Sequence, residues 1–157
     1  MIKKAKNKDV GLLVSWMENL LAHVQKSSKD IYTNSVSEDF KGTFPSWFEN
    51  SIKDPNKIIL ISEKENKKVG FISASIQKPY LAHCKILDIG SIDVCWIDET
   101  YRKKGIMTEM VNEVEKWFKS KKIDYVDVAY LKGNIEAENT WKHLDYNPYR
   151  IFSRKRL

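Results

Sequence analysis

The spacing of apolar residues changes once in the middle of the chain, and this change limits the fold more than any other feature. From Cys84 to Ile97 the apolar side chains follow a strand-like alternation, which slips near Gly90. Such a slip predicts a β-bulge or a close backbone approach. After Thr100 the apolar residues recur at helical spacing, and this helix ends near Lys121-Lys122. A strand that passes directly into a long amphipathic helix is typical of a sheet with helices packed on its faces.

The segments on either side extend this pattern to an α/β fold of the α+β kind. Asp9 is expected to be the N-cap of a first helix that reaches about Gln25, and the polar segment 26–42 is irregular. Strands are predicted at Ile2–Lys6, Ile58–Ile61, Val69–Ile76, Ile123–Leu131 and about Tyr149–Arg154, with short helices at about Pro45–Ile52 and up to His143 or Leu144. The order β-α-α-β-β-β-α-β-α-β predicts a mixed sheet with helices on both faces, in a single domain over residues 1–157.

Composition limits the location and the partners. The apolar fraction of 42% and the charged fraction of 31% are those of a globular protein, and the sequence holds neither a membrane span nor a signal peptide. Cys84 and Cys95 form no CxxC motif, so two free thiols in the cytoplasm are expected, with one disulfide as the alternative. The net charge of +6 favours anionic partners in general, although many of the lysines are scattered. We expect a cytoplasmic protein with no membrane contact and no metal site.

The turn before the long helix combines three features of an anion site. Arg102, Lys103 and Lys104 are three successive cations, Gly105 lets a ligand approach the backbone, and Thr108 adds a hydroxyl donor. A helix N-terminus also has unpaired N–H groups and the positive end of the helix dipole, where basic side chains are locally unfavourable. The alternative is a solvated basic loop. A single glycine fits neither the P-loop nor the dinucleotide-binding GxGxxG motif.

Two segments resemble motifs of the GCN5-related N-acetyltransferases, the GNAT family. The run from Arg102 to Met107 is similar to the family motif R/Q-x-x-G-x-G/A, which wraps the pyrophosphate of acetyl-coenzyme A. The segment from Asn134 to Tyr146 resembles the later motif N-x-x-A-x-x-x-Y-x-K-x-G-F. The resemblance implies a GNAT-like fold with a mixed, mostly antiparallel sheet, and acetyl-coenzyme A as co-substrate.

The resemblance also implies roles for individual residues. The backbone N–H groups from Lys103 to Thr108 bind the pyrophosphate, Arg102 helps to hold it, and Asn134 contacts the coenzyme from the other side. The edge of the preceding strand pairs with the pantetheine, and one of its N–H groups polarises the thioester carbonyl. The complete set implied for the coenzyme is Cys95, Trp96, Ile97, Arg102, Lys103, Lys104, Gly105, Ile106, Met107, Thr108, Asn134 and Trp141.

Three positions depart from the family pattern. Met107 replaces the second Gly or Ala of the first motif, and Asp145-Tyr146 replaces Gly-Phe in the second. Trp141 stands where many members have the Tyr that protonates the departing thiolate, and an indole N–H cannot serve as that acid.

Candidate acid and base groups therefore have to be chosen from other positions. Asp93, in the strand before the turn, is the first candidate for the general base, against the alternatives that it faces solvent or pairs with a lysine. Tyr130 and Tyr146 are candidate proton donors to the thiolate, although structural roles are the alternative for both. Trp47 and Phe48 are candidates for the lining of an acceptor pocket.

The sequence as a whole favours an acetyl-coenzyme A-dependent N-acetyltransferase. The expected acceptor is a primary amine of a small molecule or peptide, which attacks the thioester directly in a monomer or homodimer. A non-catalytic acyl-coenzyme A sensor of the same fold is the alternative, and Trp141 favours it. A nucleic-acid partner is not expected, because no nucleic-acid-binding motif is present.

Overall fold

One mixed sheet forms the centre of the molecule. The computed structural model describes residues 1–28 and 30–157. Within them the sheet has five strands in the order β1-β2-β3-β4-β5. The first four strands pair antiparallel, whereas β5 runs parallel to β4, so the sheet is mixed and mostly antiparallel as predicted. The strands are β1 (Ile2–Lys4), β2 (Lys57–Lys64), β3 (Lys67–Gln77), β4 (Ile89–Ile97) and β5 (Val126–Val128).

Helices cover both faces of this sheet, which confirms the predicted layers. In the described part of the chain they are α1 (Val10–Ser27), α2 (Phe44–Lys53), α3 (Ile106–Ser120) and α4 (Ile135–His143). One core packs Leu13 of α1 and Phe48 of α2 on Phe71 of the sheet. The other packs Phe118 of α3 and Trp141 of α4 on the opposite face. None of the helices described is both long and apolar enough to cross a membrane.

The predicted last strand at Tyr149–Arg154 is wrong. Residues 146–157 are outside any regular element, and the side chains of Ile151 and Phe152 are 88% and 80% exposed. The neighbouring strand, β5, is only three residues long instead of the nine predicted, and it pairs with β4 alone. Apolar alternation in the tail therefore has no sheet face to cover, and alternation without burial does not make a strand.

Two further expectations need correction near the start of an element. The long strand predicted from Cys84 begins only at Ile89, and residues 84–88 form a loop in which Leu87 is exposed. Asp9 does stand at the N-cap of α1, but its carboxylate accepts no helix N–H. It accepts the Lys6 N–H at 2.8 Å and pairs with Lys68 at 2.6 Å, so it joins the helix start to the sheet.

The slip in the alternation of β4 has two separate causes. Ser73 of β3 pairs with Val94, and the next residue, Ala74, pairs with Ile92, so Asp93 is an extra residue on β4. The bulge therefore lies at Asp93, three residues beyond the glycine. At Gly90 the other prediction, a close approach to the backbone, is confirmed, because an added Cβ would lie 2.7 Å from ring carbons of Phe118. The bulge places Asp93 and Val94 on the same face of the sheet.

Gly90→Ala is expected to destabilise the fold by about 1–3 kcal/mol, because the methyl group overlaps the ring of Phe118 in a packed core. Thermal or urea unfolding measures the loss. The matched control is Gly11→Ala in α1, where, apart from its chain neighbours and the nearby backbone of the same helix, no atom of the described residues lies within 4 Å of the added carbon. That change should leave stability equal or raise it by up to about 1 kcal/mol. Equal stability of the two variants would contradict the close approach.

Candidate functional site

The edge of β4 that faces β5 is open over its second half. The two strands pair only from Gly90 to Ile92, whereas β4 continues to Ile97. Backbone groups alternate along a strand, and the N–H of Asp98 points to β3, where it donates to Val69. The N–H and C=O groups of Ile97 and Cys95 therefore point to the open edge, and those of Trp96 point to β3. Of the three residues implied for pantetheine pairing, two present their backbone there.

The turn between β4 and α3 forms a row of free donors. Within the described residues, none of the six backbone N–H groups from Lys103 to Thr108 donates a hydrogen bond to protein. Lys103 and Gly105 both take positive φ, 58° and 75°, which turns the chain sharply into the helix. Apart from its two chain neighbours, no atom of the described residues lies within 4 Å of the position that a Cβ on Gly105 would take, so the approach is open. Six free donors at a helix start are the geometry that an anion site requires.

The cations of this turn differ in their surroundings. Lys103 and Lys104 are exposed, and Lys104 Nζ lies 5.0 Å from the ring centre of Tyr101. The guanidinium of Arg102 lies over the ring of Trp96, 4.7 Å from its centre. Its Nε donates to the Ile97 carbonyl at 3.0 Å, and Nη1 reaches Glu136 of α4 at 3.3 Å. Arg102 thus joins the end of β4 to the start of α4.

The end of β4 is also fixed by two indole groups. Trp16 of α1 and Trp96 of β4 both donate their Nε1–H to Oδ1 of Asp98, at 2.9 and 3.0 Å. One carboxylate oxygen therefore holds α1 and β4 together immediately before the turn. Cys95 precedes Trp96 and packs against the α3-side core on the other face of the sheet. Burial raises the pKa of its thiol to about 12, so the thiolate form is disfavoured at neutral pH.

The second motif segment forms the start and end of α4. Asn134 is its N-cap, and its Oδ1 accepts the Ala137 N–H at 3.1 Å. Trp141 is buried in the α3-side core, with Tyr146 edge-on at 5.4 Å between ring centres. Asp145, at the position of the family glycine, takes a φ of 64°, a conformation that Asp adopts more readily than most residues.

The two tyrosine candidates lie in different surroundings. The Tyr146 hydroxyl donates to Glu115 of α3 at 3.0 Å. Burial and this carboxylate raise the pKa of Tyr146 well above its usual range, so it holds its proton firmly. Tyr130 follows β5 and packs half-buried against the α3-side core.

Asp93, the residue at the bulge, has a carboxylate whose pKa departs from its ordinary value. Its Oδ1 accepts from Ser75 Oγ at 2.8 Å and from Gln77 Nε2 at 3.3 Å. Burial raises its pKa above the ordinary value, and the neighbouring hydroxyls and the charge of Lys57 offset this only in part. The sequence left two alternatives for Asp93, exposure to solvent or pairing with a lysine. Neither holds, since Asp93 is partly buried and forms no ion pair among the described residues. A raised pKa makes this carboxylate a stronger base than a surface aspartate.

A pocket of about 450 Å³ opens beside Asp93 on the α2 face of the sheet. Of the two candidates for an acceptor pocket, Trp47 lines this cavity, whereas Phe48 is fully buried in the α1–α2 core. Sequence reasoning missed Lys57, Ser75 and Gln77. They reach the pocket through the pairing of β2 with β3, and a single sequence gives no signal of that register. The lining consists of Trp47, Lys57, Ser75, Ile76, Gln77 and Asp93.

Comparison with solved structures shows the same fold in proteins that include acetyltransferases. A Bacillus halodurans protein solved as a tetramutant superposes with a TM-score of 0.81 at 17% identity, covering 100% of this chain and 99% of that one. A protein of Clostridium acetobutylicum described as a predicted acetyltransferase, solved with acetyl-coenzyme A, gives a TM-score of 0.76 at 20% identity, covering 99% of this chain and 95% of that one. The aminoglycoside 6′-N-acetyltransferase of Acinetobacter haemolyticus gives 0.72 at 15%, covering 100% and 99%.

Sequence comparison identifies the family. A search of curated proteins finds no relative with significant similarity. The model of the acetyltransferase (GNAT) family, however, matches residues 21–146, which include the whole turn with its free donors, the bulge and the segment around α4. Because this match spans most of the chain, the protein belongs to the GNAT family and is an acetyl-coenzyme A-dependent acetyltransferase.

Proposed function

We propose that the protein transfers the acetyl group of acetyl-coenzyme A to a primary amine by direct attack. The observation that carries this proposal is the row of free N–H groups from Lys103 to Thr108. It opens next to the unpaired edge of β4, and the basic carboxylate of Asp93 lies at the bulge of the same strand. Anion binding, an edge for an extended ligand and a proton acceptor therefore occur along one strand and the turn that follows it.

The residues of this chain fit the coenzyme in three places. The free N–H groups of the turn and the charges of Lys103 and Lys104 suit a pyrophosphate. The backbone of Cys95 and Ile97 suits an extended arm that pairs like a strand, and the Cys95 N–H is our candidate for the group that polarises the thioester carbonyl. The side-chain amide of Asn134 supplies a further donor beside its capping oxygen.

Two proton transfers accompany the transfer of the acetyl group. Asp93 takes one proton from the incoming ammonium, which gives the amine its lone pair. The amine nitrogen bonds to the thioester carbonyl carbon, and the bond from that carbon to sulfur breaks. The departing thiolate takes up a proton from a neighbouring donor, and that donor recovers the second amine proton, so the products are the amide, the free thiol of coenzyme A and one proton released through Asp93.

The group that returns a proton to the thiolate is less constrained. The indole of Trp141 cannot supply it. The hydroxyl of Tyr146 is bound to Glu115, which leaves Tyr130 and water as the donors that we favour. Holding the two reactants together supplies much of the rate even without a dedicated acid.

The test combines coenzyme binding with turnover. Calorimetry with coenzyme A measures binding, and release of free thiol from acetyl-coenzyme A across a panel of amines and short peptides measures transfer. We expect both, with one N-acetylated product for each thiol released. Binding without transfer to any amine would favour the sensor alternative, for which the buried Trp141 is the supporting observation. The acceptor, the cytoplasmic location and the monomeric or dimeric state stay predictions from the sequence.

A further inference from the structure

The pocket beside Asp93 contains one positive and one negative side chain on neighbouring strands. Lys57 begins β2 and pairs in register with Ser75 of β3. Ser75 in turn donates to Asp93 on β4. The ammonium of Lys57 is close enough to lower the pKa of Asp93, yet the two form no ion pair. The opposite charges thus face the same cavity and stay separate.

Lys57 has no carboxylate partner among the residues that the structure describes. Its Nζ lies 3.5 Å from the Ser51 hydroxyl and 5.6 Å from the ring centre of Trp47. The residue is partly buried, and an ammonium that gives up water without gaining an anion loses free energy. An anionic group on a bound ligand would remove this loss. Trp47 beside it offers a flat apolar wall.

The surroundings of the pocket do not suit an acceptor with several positive charges. An adjoining cavity of about 440 Å³ shares Ile76 and Gln77 with it and also contains Lys78, Asp88 and Lys121. Asp88 is already paired with Lys78 at 2.9 Å. Among the described residues that line the two cavities, Asp93 is therefore the one carboxylate without a lysine partner. A second ammonium on the ligand would meet Lys57 or Lys121 instead.

We propose that the acceptor is a small zwitterionic amine of the amino-acid type, whose amino group binds at Asp93 and whose carboxylate binds at Lys57. This inference rests on the proposed acetyl transfer and names its substrate class. Lys57 then sets specificity, while Asp93 serves any amine that enters. An apolar side chain of the acceptor packs on Trp47.

The test compares acceptors that differ only in the carboxylate. Phenylalanine is paired with phenethylamine and methionine with 3-(methylthio)propylamine, while kanamycin represents polycations and butylamine simple amines. For the unmodified protein, kcat/KM should be about 10- to 100-fold higher for each amino acid than for its decarboxylated partner. In Lys57→Met, which keeps an apolar stem, this preference should fall to within about threefold; any change in the pKa of Asp93 acts on both members of a pair and leaves their ratio unaffected. Lys53→Met, on the exposed end of α2, is the control that should keep the full preference.

The outcomes separate this inference from the proposed function. Equal kcat/KM within the pairs, a preference for kanamycin, or a preference that survives Lys57→Met overturns the zwitterion proposal and leaves acetyl transfer intact. Transfer to butylamine or kanamycin but to neither amino acid also overturns the zwitterion proposal and leaves acetyl transfer intact. Transfer to no amine at all overturns both proposals, and coenzyme A binding then decides whether the sensor alternative replaces them.

Discussion

Replacing Asp93 by asparagine is expected to lower kcat for acetyl transfer by about 10²- to 10³-fold, the usual contribution of a general base. Asparagine has the same shape and still accepts from Ser75 and Gln77 through its carbonyl oxygen. It cannot take a proton. Steady-state thiol release gives kcat, and coenzyme A affinity measured by calorimetry should not change.

The direction in which the stability of Asp93→Asn changes distinguishes a loss of kcat through the missing base from a loss through misfolding. The folded-state pKa of Asp93 is raised, so the protonated form is favoured by folding. Its contribution is most favourable below the unfolded pKa and is lost as the pH rises through the folded pKa. Above the folded-state pKa the native protein carries a desolvated charge, which Asp93→Asn removes. The variant should melt at or above the temperature of the unmodified protein, with the difference shrinking in acid.

The pH profile gives an independent check. For the unmodified protein, kcat/KM should rise with pH through an apparent pKa above the ordinary aspartate value of 3.8, and this limb should vanish in Asp93→Asn. Asp88→Asn is the matched control, because Asp88 is a nearby carboxylate already paired with Lys78. Equal losses of kcat in the two variants, or no loss in either, would rule out Asp93 as the base.

The second large effect is expected at the turn before α3. The double change Lys103→Glu and Lys104→Glu should weaken coenzyme A binding by about 10- to 100-fold, because two attractive charges become repulsive beside a pyrophosphate. Acidic residues at a helix start are favourable, by about 0.3–1 kcal/mol each, so the folded protein should be no less stable. Coenzyme A affinity, measured by calorimetry, should then fall, while the melting temperature stays equal or rises.

A control variant removes the contribution of net charge. Lys155→Glu with Arg156→Glu makes the same change of four charges in the exposed tail, where neither side chain forms a hydrogen bond or ion pair with the turn among the described residues. Its effect on coenzyme A affinity should stay within about threefold at physiological salt, where distant surface charges are screened. If both double variants weaken binding equally, general electrostatic attraction and not the donor row of α3 holds the coenzyme.

The sequence predicted this turn well because its features are local. A strand, a basic turn with one glycine and an amphipathic helix follow one another along the chain, and each has its own pattern. The free N–H groups from Lys103 to Thr108 then follow from the helix start itself. The role of Arg102 was harder to foresee, since its partners, Trp96 and Glu136, come from separate elements.

Features that depend on strand pairing were not predictable to the same degree. The slip in β4 was visible, but the identity of the extra residue depends on which residues of β3 face Ile92 and Val94. The prediction of a final strand is wrong for a related reason. Its alternation around Ile151 is real, yet β5 is too short to offer an edge. Lys57 enters the pocket only through its register with Ser75.

The extra residue at position 93 separates the chemistry of β4 from its packing. Without Asp93, Ile92 and Val94 would follow each other in a regular ladder on Ala74 and Ser73, and Trp96 and Ile97 would still face the α1–α2 core and the α3-side core. The acidic side chain is thus an insertion in the strand that neither core needs. We expect related sequences that lack this residue to keep the fold and to lack the base, so its presence marks a difference in mechanism and not in architecture.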